Sequence, residues 1–342
     1  GGYAGSTALS NFPVLVRISP ERIVGFSYDQ LREDGLDMRF TSLDGATVYP
    51  HAIDTWNRTG ESLIWVKVPS LAGTTTQFRF EYGDSAYETA ADATGVWNGA
   101  AGGYYAGVWH FGEEIDAAAA PLAVSADSAR HDGTGGMGVK LWSSGSSRAA
   151  EATSTNGVIG TARVNQLATE GYKNGFWAAH CPTMDLGTKL TVSMWVRCMV
   201  ANEAGYRLMT HKNGWQGTDG WELNFEGNTQ TLLARGSDGA YVQTKNVPSS
   251  RTDWLHIAAV YDGATATVYA NGLPLGTGSL TAIADNVKDL YIGCEYGHGN
   301  PFPGAFDEVR LLGASASADW VKAEYDTVRA PSFVTATPAL PV

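Results

Sequence analysis

The sequence predicts an all-β protein built from two tandem β-sandwiches. The chain has 342 residues, apolar runs of period two recur along it, and 41 glycines and 13 prolines fall largely between those runs. A chain of this length exceeds one typical core and suits two domains. Period-two alternation is typical of half-buried strands, and glycine and proline between strands are typical of turns.

The first sandwich is predicted over residues 1–90. Its first strand carries four apolar residues on one face: Phe12, Val14, Val16 and Ile18. Further strands are expected over 37–41, 46–53, 62–68 and 75–82, with a short helix over 26–33. Residues 91–104, rich in Ala and Gly, are expected to form a linker.

The second sandwich is predicted over residues 105–330, with 331–342 as an extended tail. Strand patterns begin at 107–111 and recur over 176–181, 190–200, 207–211, 220–226, 231–235, 254–261, 265–270, 290–294 and 305–312. The dipeptide Asn271-Gly272 is the best hairpin signal, because both residues tolerate the positive φ of a type I′ turn. An amphipathic pattern over 316–327 predicts a short closing helix.

Composition excludes some partners. Lys and Arg number 23 and Asp and Glu 35, so the net charge is −12. An acidic surface repels phosphate backbones, so nucleic acid is not an expected partner. No apolar run approaches the roughly 20 residues that cross a bilayer, and no secretory h-region opens the sequence. We therefore expect any membrane anchor to lie outside this sequence.

The three cysteines, Cys181, Cys198 and Cys294, are an odd number without metal-ligand spacing. They do not form a zinc site or a complete disulfide framework. Two interpretations stay open. All three are buried single thiols inside strands, or one disulfide forms, with Cys181–Cys198 as the favoured pair.

Four stretches of the C-terminal half carry a family resemblance. They are LTVSMWVR (190–197), WLHIAAVYDG with TVYANGLPLG (254–276), YIG with FPGAFDEVRL (291–311), and VWHF followed by DSARHDG (108–133). As an ordered set over about 105–330, they resemble the concanavalin A-like, laminin-G-like jelly-roll family of bacterial surface proteins. The resemblance implies a two-sheet jelly roll of the lectin type.

Residues 9–84 resemble a bacterial domain of unknown function, DUF2341, that often precedes such a jelly roll. The match rests on FPVLV (12–16), LDMRF (36–40), IWVKV (64–68) and FEYG (80–83). It implies a secreted, periplasmic or cell-surface setting.

The resemblance also points to a structural calcium ion held by Asp127 of the opening loop and Asp307 of the closing strand. Calcium takes about six to eight oxygen ligands, and the segment 127–133 adds Asp132 within a short turn. Strand alternation places Asp307 inward, where a carboxylate needs a partner or a metal. The loop is two residues shorter than the family's usual version, which puts the role of Asp132 in doubt. The alternative is that these residues stabilise turns and that Asp307 bonds to backbone.

Five ring-bearing side chains lie among glycines in predicted loops. Sugar C–H faces stack on such rings while neighbouring polar groups bond the hydroxyls. The candidate ligand-binding residues are Trp215, Tyr172, Trp177, Tyr296 and His298, with Trp215 the first choice. The alternative is that the loops fold back and bury these rings. Tryptophans inside strands and His256 are expected to belong to the core.

Enzyme signatures are missing: there is no nucleophile elbow, metalloprotease helix or phosphate loop. Glu222, Asn224 and Glu226 share a strand face and come closest to a glycosidase motif, but an Asn stands in the middle. We therefore expect a non-catalytic carbohydrate-binding module of a bacterial secreted or envelope protein. The rival interpretation is a structural or adhesive module that binds an envelope or extracellular protein, and a glycosidase is the more distant one.

Overall fold

The structure is a computed structural model. It describes residues 2–87, 91–99, 101–113, 123–129, 140–143, 152–165, 175–199, 206–212, 219–226, 231–237, 240–244, 247, 253–280, 282–294 and 302–338. Within these ranges the chain is mostly β-strand, with two α-helices.

The N-terminal strands are β1 (Leu9–Ile18), β2 (Met38–Thr41), β3 (Val48–Tyr49), β4 (His51–Thr55), β5 (Ser62–Leu71) and β6 (Arg79–Tyr82), and helix α1 (Ala93–Trp97) follows. A 3-10 helix, Tyr28–Gln30, lies within the predicted helix.

The later strands are β7 (Tyr105–Trp109), β8 (Ala123–Ala126), β9 (Lys140–Ser143), β10 (Ala152–Asn156), β11 (Thr161–Asn165), β12 (Phe176–Ala178), β13 (Leu190–Cys198), β14 (Tyr206–Lys212), β15 (Trp221–Glu226), β16 (Thr231–Arg235), β17 (Tyr241–Thr244), β18 (Leu255–Tyr261), β19 (Thr265–Ala270), β20 (Leu273–Ser279), β21 (Leu290–Ile292) and β22 (Gly304–Leu312). The predicted closing helix is α2 (Ala318–Arg329), which begins at an N-cap serine, Ser317.

The N-terminal strands form two three-stranded sheets, β1–β5–β4 and β3–β2–β6. Phe12 and Val14 are buried as the alternation predicts, but Leu15 on the opposite face of β1 is buried too. Leu15 lies opposite Trp65 in the ladder, and its backbone N–H donates to Oγ1 of Thr327 in α2 (2.9 Å). Both faces of β1 are therefore covered.

The later strands form two eight-stranded sheets. The middle sheet has the order β10–β11–β22–β13–β18–β19–β20, with β7 also paired to β22. The outer sheet has the order β17–β16–β15–β14–β21–β12–β9–β8. Apolar side chains of both sheets share one core, among them Met194, Ile257, Val268, Phe306, Leu223, Ala234 and Ile292. The prediction of an all-β protein with two β-sandwiches is confirmed.

A second hydrophobic core joins the two halves of the chain. It contains N-terminal residues together with residues of the middle sheet and α2, including Trp65, Trp195, Val260, Leu312 and Trp320. Phe333, in the segment predicted to be a tail, is buried in the same core. The middle sheet therefore lies between the outer sheet on one side and the N-terminal sandwich with α2 on the other.

The segment predicted to be a linker contains α1. The carboxylate of Asp92 caps this short helix by accepting a hydrogen bond from the N–H of Gly95 (2.7 Å). Trp97 is fully buried, and its ring lies 5.4 Å from that of Trp65 and 5.3 Å from that of Tyr105. The segment therefore fills the junction between the sandwiches as a packed element.

Hairpin geometry agrees with the turn chemistry of the sequence. Asn271 and Gly272 connect β19 to β20 with φ values of 49° and 76°, both in the left-handed region that this dipeptide tolerates. The strand tryptophans expected in the core, Trp65, Trp109, Trp195 and Trp221, are buried, and Trp254 is partly buried.

Two smaller expectations can be compared with the described residues. None of the helices among them combines the length and apolar character that a bilayer crossing requires. Cys181 forms no disulfide, and its sulfur lies 2.9 Å from Oγ1 of Thr183. The alternative pair Cys181–Cys198 is therefore not formed.

His256 is buried as predicted, but aromatic rings surround it instead of hydrogen-bond partners. Its ring lies 5.2 Å from Trp195 and 6.1 Å from Tyr325, and both ring nitrogens lack a partner among the described residues. Burial, together with the positive charge of Arg310, lowers the pKa of His256 to about 3. The native state therefore holds a neutral imidazole.

We expect His256→Phe to become relatively more stable than the wild type as the pH falls. Below the ordinary histidine pKa the unfolded wild type takes up a proton that the native state refuses, so this histidine costs stability progressively between about pH 6.5 and about pH 3. The stability difference should change by roughly 1 kcal/mol per pH unit below about pH 6. Urea unfolding at about pH 8 and about pH 5 measures it, and a difference that does not vary with pH would contradict a neutral buried His256.

Candidate functional site

The two faces of the outer sheet differ in character. Phe176, Leu223, Ala234 and Val242 are buried in the core shared with the middle sheet. Successive side chains of a strand point to opposite faces, so the residues between these core positions lie on the other face. Among the described residues, none from the outer sheet belongs to the second hydrophobic core, which joins the two halves of the chain.

One row of residues crosses this second face. The backbone register pairs Trp142 with Trp177, Trp177 with Tyr291, Tyr291 with His211, His211 with Glu222, Glu222 with Arg235, and Arg235 with Tyr241. Residues directly opposite each other in a ladder share a face. We call Trp177, Tyr291, Glu222, Arg235 and Tyr241 the outer row.

The outer row combines rings with a charged pair. Oε1 of Glu222 lies 3.0 Å from Nε of Arg235, and the guanidinium of Arg235 lies 5.9 Å from the ring centre of Tyr241. Tyr241 is 55% exposed, Trp177 is partly exposed, and Tyr291 is buried. The row therefore offers exposed aromatic surface at both ends and hydrogen-bonding groups between them.

Four of the five predicted ligand-binding residues, Tyr172, Trp215, Tyr296 and His298, lie outside the described residues. Trp177 is described, and it belongs to β12 and to the outer row. Trp177 was grouped with the rings of predicted loops although the strand predicted over 176–181 includes it, and it pairs with strands on both sides.

The described strands define where the predicted loops attach. In the register of β12, β21 and β14, Phe176 pairs with Ile292 and Ile292 with Thr210. The first residue of β12 and the last residue of β21 therefore lie at the same end of the sheet, since the two strands are antiparallel. The last residue of β14 lies at the opposite end. The strand ends next to Tyr172 and Tyr296 in sequence therefore lie together, and the strand end next to Trp215 lies across the sheet.

Sequence reasoning missed Tyr291, Arg235 and Tyr241. Tyr241 heads a run, YVQT, whose exposed and buried residues alternate, and this alternation was the available signal. The connection of Tyr291 to the other two depends on strand register, which pairs Tyr291 with His211, 80 residues earlier in the chain. No local pattern encodes that pairing.

The two carboxylate residues that came closest to a glycosidase motif, Glu222 and Glu226, both lie on β15. Glu222 and Glu226 are four residues apart on one strand, a spacing of about 13 Å along the chain. Paired glycosidase carboxylates lie about 5–10 Å apart. Between them stands Asn224, which is fully buried.

Asp127, one of the predicted calcium ligands, is buried and bonds to backbone. Its Oδ1 accepts hydrogen bonds from the N–H groups of Val108 and Ala129, both at 2.9 Å. These bonds fix the opening loop against β7. Asp132 lies outside the described residues.

Asp307, the other predicted ligand, is fully buried. Its Oδ2 accepts a hydrogen bond from the N–H of Val158 (2.8 Å), and its Oδ1 lacks a partner among the described residues. Burial, with the negative charges of Glu308 and Asp54, raises the pKa of Asp307 well above its usual range. An orphaned carboxylate oxygen fits a cation ligand.

The face on which Asp307 lies differs from the prediction. Asp307 pairs with Trp195, which belongs to the core shared with the N-terminal sandwich, whereas Phe306 and Val309 both face the jelly-roll core. A β-bulge at Glu308 inserts an extra residue and breaks the alternation. Asp307 is inside the molecule, but between the middle sheet and the N-terminal sandwich.

A buried ion network occupies this junction. The guanidinium of Arg310 bonds to Glu308 (2.5 Å) and to Glu324 of α2 (3.0 Å). It lies 4.6 Å from the ring centre of Trp65 and 5.0 Å from that of Trp97. The network joins the N-terminal sandwich, α1, β22 and α2 through one side chain.

The fold and the match to known families agree. Residues 170–322 match the Concanavalin A-like lectin/glucanases superfamily, and residues 34–114 match a domain of unknown function, DUF2341. The chain therefore carries a concanavalin A-like jelly roll preceded by a DUF2341 domain, as the sequence motifs predicted. The DUF2341 match extends through α1 and β7.

Several solved structures are similar at low identity. The binding domain of Paraclostridial Mosquitocidal Protein 1 is 12% identical with a TM-score of 0.47, over 65% of this chain and 52% of that one. Domain 4 of AbnA, a GH43 extracellular arabinanase from Geobacillus stearothermophilus in complex with arabinotriose, is 17% identical with a TM-score of 0.44, over 64% and 96%. The binding domain of botulinum neurotoxin serotype G is 12% identical with a TM-score of 0.46, over 65% and 50%. This chain spans about half the length of the two toxin domains. No curated protein sequence matches it.

We expect Arg310→Met to destabilise the protein by roughly 3 to 5 kcal/mol, because it leaves Glu308 and Glu324 buried without their cation. The matched control is Arg32→Met, which breaks the exposed ion pair with Asp34 and should cost less than about 1 kcal/mol. Urea unfolding at neutral pH measures both variants. Equal effects would contradict the importance of the junction network.

Proposed function

We propose that this chain is a non-catalytic carbohydrate-binding module that holds glycan on the face of its outer sheet that carries the outer row. The observation that carries the proposal is the outer row, which places Trp177 and Tyr241 at two ends and the Glu222–Arg235 pair between them. Among the described residues, much of the middle-sheet face that points away from the outer sheet is covered by the N-terminal sandwich and α2.

The chemistry of the row suits sugars. Pyranose and furanose rings present C–H faces that stack on aromatic side chains, and their hydroxyl groups bond to carboxylate and guanidinium groups. Arg235 and Glu222 already neutralise each other, so a neutral glycan can bind without leaving a bare charge. This matters for a chain with a net charge of −12.

The dimensions of the row favour an extended oligosaccharide over a single sugar. Five strand spacings separate β12 from β17 in the sheet order, which corresponds to about 24 Å. A ligand that reaches from Trp177 to Tyr241 therefore has several sugar units. Tyr172, Trp215, Tyr296 and His298 lie close in sequence to the ends of β12, β14 and β21, and we include these residues in the proposed site as contacts at its rim.

Absence of catalysis is part of the proposal. The carboxylate of Glu222 pairs with Arg235, and Glu226 stands four residues further along β15, about 13 Å away along the strand, whereas glycosidase pairs lie about 5–10 Å apart. We also infer a secreted, periplasmic or cell-surface location in a bacterium. Its support is the sequence resemblance, and cell fractionation with an antibody to the chain tests it.

A structural calcium ion is a further part of the proposal. Its support is Oδ1 of Asp307, a buried carboxylate oxygen without a partner among the described residues. A bound cation would neutralise this carboxylate between the middle sheet and the N-terminal sandwich. Asp127 and Asp132 are the proposed contributions of the opening loop.

We expect a glycan array to give micromolar to millimolar hits that weaken about tenfold in Tyr241→Ala and in Trp177→Ala, since each change removes one stacking surface. Trp215→Ala should weaken the same hits if the rim contributes. The matched control is Tyr87→Ala, in the N-terminal sandwich, which should bind as the wild type does.

An array without hits, together with capture of one envelope protein, would favour the adhesive alternative and contradict glycan binding. Turnover of a chromogenic glycoside that disappears in Glu222→Gln would contradict the absence of catalysis.

Calcium removal should destabilise the protein. We expect EGTA to lower the melting temperature by several degrees, because the carboxylate of Asp307 then loses its cation. Asp307→Asn should abolish the effect of EGTA, since the amide needs no cation. A melting temperature that does not change with EGTA would count against the calcium ion.

A further inference from the structure

The strand β22 has an interruption at the junction of the two sandwiches. One edge of β22 pairs with β13, while the other pairs first with β11, up to Phe306, and then with β7, from Val309 onward. Asp307 and Glu308 lie where the partner changes. Glu308 has a φ of 50°, in the left-handed region that residues with a side chain rarely adopt, and such strain is typical of functional sites.

Three metal-ligating side chains meet at this interruption. Asp54 comes from the end of β4, His110 follows β7, and Glu308 is the bulge residue. Nδ1 of His110 lies 2.6 Å from Oε1 of Glu308 and 3.6 Å from Oδ2 of Asp54. One ligand atom from each lies within 4.8 Å of the others, and the site draws on both halves of the chain.

The side chains of this cluster are buried. The three side chains are between 1% and 12% exposed, and the ring of His110 lies 5.2 Å from that of Trp97 and 6.1 Å from that of Trp65. Buried charges cost free energy unless they are compensated. The sum of the charges around the cluster therefore determines which ion it can bind.

The buried charged groups around the cluster carry more negative than positive charge. Beside Asp307, which is assigned to the proposed calcium ion and interacts with Arg163, three buried carboxylates stand close together, Asp54, Glu308 and Glu324. Among the described residues, the guanidinium of Arg310 is the buried cation that bonds to two of them. A protonated His110 leaves one negative charge in excess. A dication beside a neutral His110 brings the total to zero.

We propose that Asp54, His110 and Glu308 form a binding site for a transition-metal dication, such as zinc, that ties the N-terminal sandwich to the jelly roll. One imidazole nitrogen with two carboxylate oxygens is a donor set that zinc and its neighbours accept and that calcium does not favour. The ion would replace the proton that His110 and Glu308 share, and a water molecule would complete the coordination. The separation of 2.6 Å between those two atoms must widen to allow metal–ligand distances of about 2.0–2.2 Å.

The test measures zinc binding to the intact chain. The chain is first stripped of metal and is then kept in millimolar calcium, so that the proposed calcium site does not take up zinc. Calorimetry in a weak buffer should show one zinc ion bound per chain, with release of at least one proton. The cobalt derivative should show the visible absorption of a nitrogen–oxygen site. Zinc should also raise the melting temperature.

Asp54→Asn should lower zinc affinity about a hundredfold without a loss of folding, because the amide has the size of the carboxylate and removes a buried negative charge. The matched control is His180→Gln. His180 is another histidine near an aspartate, with Nδ1 3.9 Å from Oδ1 of Asp185, and this variant should bind zinc as the wild type does.

Three outcomes overturn the proposal. They are the absence of stoichiometric zinc binding, unchanged affinity in Asp54→Asn, and loss of binding in His180→Gln, which would place the ion elsewhere. EGTA removes zinc as well as calcium, so the calcium ion proposed for Asp307 is tested separately by adding calcium alone or zinc alone back to the EGTA-treated chain, and either proposal can fail alone.

Discussion

The burial of Arg310 between two tryptophans and two carboxylates is the interaction on which the arrangement of the chain depends. Its guanidinium faces Trp65 and Trp97 and bonds to Glu308 and Glu324. The charge can leave water only because all four partners are in place. This one side chain thereby fixes four parts of the chain to one another: the N-terminal sandwich, α1, β22 of the jelly roll and α2.

This junction determines which surface is available for binding. The middle sheet has one face against the outer sheet and the other against the N-terminal core. The free face of the outer sheet is therefore where rings and polar groups can meet a ligand. The N-terminal sandwich therefore contributes to the proposed function by covering one face of the middle sheet. The outer sheet is left to provide the proposed binding surface.

The sequence predicted what depends on local pattern and missed what depends on register. Alternation located β13, β18 and β22, and Asn271-Gly272 located a hairpin. The sequence pattern did not reveal that Trp97, in an Ala- and Gly-rich stretch, completes the junction between the two sandwiches, because a single ring has no periodicity. The bulge at Glu308 moved Asp307 to the other face of β22, since one inserted residue reverses an alternation. The outer row joins residues from five strands, and only the folded sheet brings them together.

The central claim is that glycan meets the free face of the outer sheet. The most direct measurement is a chemical-shift titration of the isotope-labelled chain with an oligosaccharide that it binds. We expect the largest shifts in β12, β15, β16 and β17, around Trp177, Glu222, Arg235 and Tyr241, with little change in β18 to β20. Shifts confined to the N-terminal sandwich or to the middle sheet would contradict the account.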